Sequence, residues 1–84
     1  MANDFVQQYR SVKQKHPGMV LLFLMGDNYE AFDEDAVLIA KTLGLVLTSR
    51  HDFKVAGFPR ESLELYLRKL LHEGSRVAIC EAVI

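Results

Sequence analysis

Seven consecutive apolar residues, Met19 to Met25, stand between Pro17-Gly18 and Gly26-Asp27. The run is far too short to cross a bilayer, which takes roughly 20 residues of helix. It carries no polar face, so it does not suit a strand with one side in water. It fits a central strand covered on both faces. A chain of 84 residues that spends its most apolar segment this way must supply a layer on each side of a sheet. That constraint points to an α/β fold.

The flanking segments read consistently with it. Residues 3 to 16 have Phe5, Tyr9, Val12 and His16 at helical spacing, with Asn3 able to cap the start and Pro17-Gly18 to stop it. Gly26-Asp27 predicts a tight turn with Gly26 at positive φ, and residues 28 to 32 the return strand of a hairpin. Asp33-Glu34-Asp35 predicts a second helix, its carboxylates capping free N–H groups and matching the positive end of the helix dipole. Ala36, Val37, Ala40 and Leu43 form its expected buried stripe, and Gly44 its end. Alternation predicts a strand over 45 to 49, and a short strand is expected over 53 to 56 after a turn at His51-Asp52. Pro59 precedes a third helix over 60 to 73, with Leu63, Tyr66, Leu67, Leu70 and Leu71 as its stripe and Gly74 as its cap. Residues 76 to 84 close the sheet. The expectation is a single domain over 1–84: one mixed β-sheet packed with three helices. Strand order cannot be read from the sequence.

Charge and composition exclude several functions. Ten Lys and Arg against eleven Asp and Glu give a formal charge of −1. Strong generic nucleic-acid binders derive their affinity from an excess of Lys and Arg on phosphates. One cysteine leaves no intrachain disulfide, which fits a reducing cytoplasm. The opening residues are polar and contain Asp4, unlike a signal peptide. A glycine-rich phosphate loop of the Walker type is lacking, so ATP hydrolysis is not expected.

The ionisable residues divide into two stretches. From Asp27 to Asp35 there are five acids and no base. Carboxylate oxygens suit Mg²⁺, but capping and the turn account for Asp27, Asp33, Glu34 and Asp35, so no metal and no cofactor are expected. From Arg50 to Arg76 there are six Lys or Arg against four acids. Glu81-Ala82-Val83 lacks the lysine that a nuclease strand end of the Glu-x-Lys kind requires. Cys80 sits in an apolar strand and reads as a packing residue. His16, His51 and His72 show no metal-ligand spacing.

Several segments, in order, resemble the N-terminal mismatch-recognition domain of MutS proteins. They are Gln8-Tyr9, Lys13, His16-Pro17, the turn Met25-Gly26-Asp27 with Tyr29-Glu30, Thr48-Ser49-Arg50, Ala56-Gly57-Phe58-Pro59, Tyr66-Leu67 with Lys69-Leu70 and Gly74, and Val77 to Glu81. In that family Met-Gly-Asp is followed by Phe-Tyr-Glu. The Phe wedges beside a mispaired base and the Glu hydrogen-bonds it. Asn28 occupies the wedge position here. Other departures are Leu24 for an Arg, Glu61 for a His, Ala82 for a Gln, and a shorter segment between Arg50 and Gly57.

The resemblance implies a non-catalytic module that binds double-stranded DNA, weakly and with altered preference for mismatches. Minor-groove proteins insert apolar wedges at weak base steps; Asn cannot stack, although it can hydrogen-bond base edges. Strand alternation sends Asn28 and Glu30 to one side and Tyr29 to the other. Beside phosphates an ionised Glu30 is repelled, so its base contact calls for a protonated, donating carboxyl. Arg50 stands where the family carries a phosphate-contacting cation; Lys54 and Arg60 flank the shortened loop and the start of the third helix. The start of the third helix is a further phosphate candidate. Useful binding would need a second copy of the chain or a protein partner. The alternative is a protein-interaction adaptor that keeps the fold and has lost DNA reading, favoured by the charge of −1, Leu24 and Asn28.

Overall fold

A computed structural model describes the backbone of residues 2–50 and 52–81 and the side chains of residues 7–50 and 52–81. The chain runs α1 (Ala2–Lys15), β1 (Met19–Met25), β2 (Asn28–Phe32), α2 (Glu34–Leu43), β3 (Thr48–Arg50), β4 (Phe53–Pro59), a 3₁₀ turn (Arg60–Ser62), α3 (Leu63–His72) and β5 (Arg76–Glu81). The strands form one sheet in the order β3-β4-β2-β1-β5. β5 lies parallel to β1, and the other pairings are antiparallel. The mixed sheet with three helices is the architecture expected from the apolar run.

β1 is buried on both faces, as its composition demands. Val20 and Leu22 face one layer, with Tyr29, Ala31, Ala56 and Phe58 from the sheet, Ala36, Ile39 and Leu43 from α2 and Leu70 from α3. Leu21 and Phe23 face the other, with Phe32, Phe53, Val55 and Tyr9 from α1. In the second layer the Tyr9 ring meets Phe23, Phe32 and Phe53 at centroid separations of 6.0, 5.7 and 5.9 Å. Its hydroxyl donates to the Phe32 carbonyl at 3.0 Å. Burial and the nearby Asp35 carboxylate hold this phenol well above its ordinary range.

Both helix stripes differ from expectation by one position. In α2, Ile39 is fully buried and Val37 is 40% exposed. Ala36, Ile39, Ala40 and Leu43 follow the i, i+3, i+4, i+7 spacing of a docked face, and Val37 lies outside it. Leu63, Tyr66, Leu67 and Leu70 do the same in α3, which leaves Leu71 exposed. α1 ends at Lys15, so His16 lies beyond the helix and is exposed. The side chain of Phe5, residue His51 and residues 82–84 lie outside the described part.

The strand expected over 45 to 49 is found at Thr48–Arg50. Its partner β4 pairs only as far as Val55 opposite Thr48. Leu45 is instead tied back to α2, its N–H donating to the Ala40 carbonyl at 2.9 Å. β4 extends from Phe53 to Pro59, three residues beyond the short strand expected over 53 to 56. Pro59 is opposite Asn28 at the strand end, where a missing N–H is tolerated. The third helix opens with the 3₁₀ turn, and its α-helical part begins at Leu63.

Asp33 and Asp35, at the start of α2, do other work than capping. Asp33 makes no side-chain capping bond; its carboxylate accepts from the Lys54 N–H at 3.3 Å. Its backbone is left-handed, at φ 52°. Asp35 is buried. Its carboxylate accepts from Lys13 Nζ at 2.9 Å and from the Leu21 N–H at 3.1 Å, which ties α1, β1 and α2 together. No described helix is long and apolar enough to cross a membrane.

Candidate nucleic-acid interface

The β1–β2 hairpin has the shape its sequence predicts. Gly26 adopts φ +66°, a conformation that L side chains rarely take. The turn is anchored from outside, because the Asp27 carbonyl accepts the Arg60 N–H at 2.8 Å. That N–H belongs to the first residue of the 3₁₀ turn, so this donor is already taken by the protein and does not point free toward a phosphate.

Asn28 opens β2, opposite Met25 on one side and Pro59 on the other, and is exposed. Tyr29 turns into the core, with its ring 5.9 Å from that of Phe58. Glu30 follows on the same side as Asn28. The expected division of the three residues is therefore what the sheet produces.

Glu30 lies against bare backbone. Its partner on β4 is Gly57. A Cβ at Gly57 would come within 2.7 Å of the Tyr29 carbonyl oxygen and 3.1 Å of Glu30 Cγ. The Glu30 carboxylate accepts two bonds from Arg50, from Nη1 at 3.1 Å and Nη2 at 3.0 Å. Paired bonds of this kind are stronger and more directional than a single charged contact. The ion pair raises the Arg50 guanidinium above its ordinary range.

The structure thus brings Asn28, Glu30 and Arg50 to one face of the sheet and sets Arg60 beside the hairpin. It does not bring Lys54 to them. Lys54 alternates with Phe53 and Val55, whose side chains enter the Tyr9 layer, so it extends from the opposite face and is exposed. Sequence reasoning missed Gly57 as the residue beneath Glu30. The only signal for it was a glycine inside a segment that turned out to be strand, which often marks close backbone approach.

Nothing in this arrangement resembles a metal or nucleophilic centre. Among the described residues no three His, Cys, Asp or Glu side chains converge as a metal site. Cys80 is half-buried, and burial pushes its thiol up. The surface can exchange hydrogen bonds through Asn28, and it can exchange an anion on Arg50.

Comparison with known proteins agrees with the fold. A family model described as MutS domain I matches residues 3–84. The DNA mismatch repair protein MutS of Pseudothermotoga lettingae is 51% identical over 78 residues, which cover 93% of this chain and 10% of that protein. Its counterpart in Salinibacter ruber is 47% identical over 83 residues, 93% of this chain and 9% of that protein. That of Thermosipho melanesiensis is 49% identical over 76 residues, 90% of this chain and 9% of that protein. The chain therefore spans about a tenth of the length of these curated relatives. On the sheet, the three helices and a match that runs from residue 3 to residue 84, the chain belongs to the MutS domain I family.

Proposed function

We propose that this chain is a non-catalytic DNA-binding module of the mismatch-recognition type. It presents Asn28 and Glu30 to a base pair and uses Arg50, with Arg60 nearby, on the phosphates. The observation that carries this reading is the juxtaposition at the hairpin: an exposed Asn28, a Glu30 on the same side, and a guanidinium 3.0 Å from that carboxylate. Lys54, on the other face, is left out of the surface. Family membership and the relatives' name, DNA mismatch repair protein, supply the direction.

Binding by the isolated domain is weak in this reading. The net charge is −1, and the Arg50 cation is paired with the Glu30 carboxylate. Non-specific affinities at physiological salt are on the order of 10⁻⁴ to 10⁻⁶ M, and this domain belongs at the weak end. Mismatch preference is blunted because Asn28 offers hydrogen bonds in place of a stack. A second copy of the chain, or a longer protein that carries it, would raise the effective concentration of these contacts.

The test is a duplex titration across salt concentrations with the chain and with Arg50→Ala. Phosphate contacts position a protein and carry no sequence information. Arg50→Ala should therefore weaken matched and mismatched duplexes alike and flatten the salt slope by about one. Loss confined to the mismatched duplex would contradict the assignment. Absence of any duplex binding at low salt would favour the second reading, a protein-interaction adaptor. The observation on its side is that Arg50 is paired internally.

A further inference from the structure

The contact between Glu30 and Arg50 joins the two oppositely charged side chains of the surface. Both terminal guanidinium nitrogens are engaged by the two carboxylate oxygens. The pair reaches across the sheet, because Arg50 ends β3, Glu30 lies in β2, and β4 runs between them. By register the line between them passes over β4 near Val55, a buried residue opposite both Thr48 and Phe32. Gly57 beneath Glu30 lets the carboxylate lie down along the sheet toward Arg50. The two halves are unequally open: the side chain of Glu30 is 12% exposed and that of Arg50 is 54% exposed. An arriving anion meets the guanidinium first.

A phosphate can engage Arg50 in the same two-pronged way only by displacing the carboxylate that holds the same nitrogens. Displacement then leaves Glu30 without its partner at the moment a duplex is present. We propose that Arg50 is the positioning residue of this surface: it holds Glu30 down in the free protein and releases it when a backbone phosphate takes the guanidinium. Phosphate contact and the freeing of Glu30 are one exchange. This deepens the DNA-binding reading above and rests on it. It adds an order of events, with phosphate on Arg50 first and Glu30 second.

The alternative is that Glu30 only repels DNA by its charge, and the two accounts separate in a double-mutant cycle. The proteins are the wild-type chain, Glu30→Gln, Arg50→Ala and the combination, each titrated with a matched duplex at low salt after thermal melts show it folded. If the clasp operates, Glu30→Gln frees Arg50 and tightens binding about two- to fivefold, the worth of an exposed pair. The same substitution on the Arg50→Ala background gives no gain. Equal gains on both backgrounds would overturn the proposal and leave the DNA-binding reading standing. Should Arg50→Ala fail to fold, Arg50→Gln serves as the background. A second readout needs no DNA. In the free chain the Arg50 side-chain N–H resonances should shift on Glu30→Gln, and unmoved resonances would show that the pair does not form in solution, which also overturns the proposal. A shift in those resonances without duplex binding by any of the proteins would overturn the DNA-binding reading and the release step with it, leaving a purely internal pair.

Discussion

At the scale of single residues, Gly57 decides where two other side chains go. It has no need of a special φ; it is required because the Tyr29 carbonyl and the Glu30 side chain press against the space a Cβ would fill. Gly57→Ala should therefore destabilise the chain by about 1–3 kcal/mol, the usual cost of a forced small-to-large change. For a domain of this size that is a fall in melting temperature of roughly 4–8 °C per kcal/mol. An unchanged melting temperature would mean that β2 and β4 separate there without strain. The sequence announced some residues and hid others. Tyr29 and Gly26 were legible because strand parity and positive φ are local properties. Asp35 was not, because an acid in the first turn of a helix reads as electrostatic trim. Only the fold reveals that it takes a Lys13 ammonium and a Leu21 N–H into the interior.

Among the elements, those with strong local patterns emerged where the sequence put them, and those that depend on a partner did not. β1 and the hairpin follow from an apolar run and a Gly-Asp turn. The segment after Gly44 alternates like a strand, yet Val46 is 78% exposed, because β4 offers pairing only to Thr48, Ser49 and Arg50. The helix stripes were off by one position because a 3.6-residue period leaves the edge of a docked face ambiguous. Tyr9 packs α1 against the sheet, and this gives a pH test. The phenol is raised above its ordinary value of about 10 in the folded chain, first by burial and then by the Asp35 charge. A raised folded value means that the stabilisation is complete below the unfolded value and is lost as pH climbs above it. Stability should hold from neutral to about pH 10 and fall beyond it. Tyr9→Phe should lower stability at neutral pH by about 1 kcal/mol, for the lost bond to the Phe32 carbonyl, and reduce the alkaline fall. Urea melts at several pH values check both, and an alkaline fall as steep in Tyr9→Phe as in wild type would contradict the assignment.

For the molecule as a whole, the fold class was readable and the strand order was not. Placing β5 beside β1 and β4 beside β2 requires contacts between distant segments that no local pattern encodes. The Glu30–Arg50 pair was hidden for the same reason, since it joins two candidates that the sequence could only name separately. The domain amounts to about a tenth of its relatives' length; in the reading proposed above its own grip on DNA is slight, and the character of the surface is the sharper question. In the proposed reading the hairpin still presents residue 28 to a base pair, and Asn28 is what blunts mismatch preference. Asn28→Phe tests this most directly. An aromatic stacked on a base is worth about 1–3 kcal/mol, or roughly fivefold to a hundredfold in affinity. The expected result is a gain of that size for a mismatched duplex, little change for a matched one, and a melting temperature close to wild type because the position is exposed. An unchanged ratio of mismatched to matched binding would contradict it.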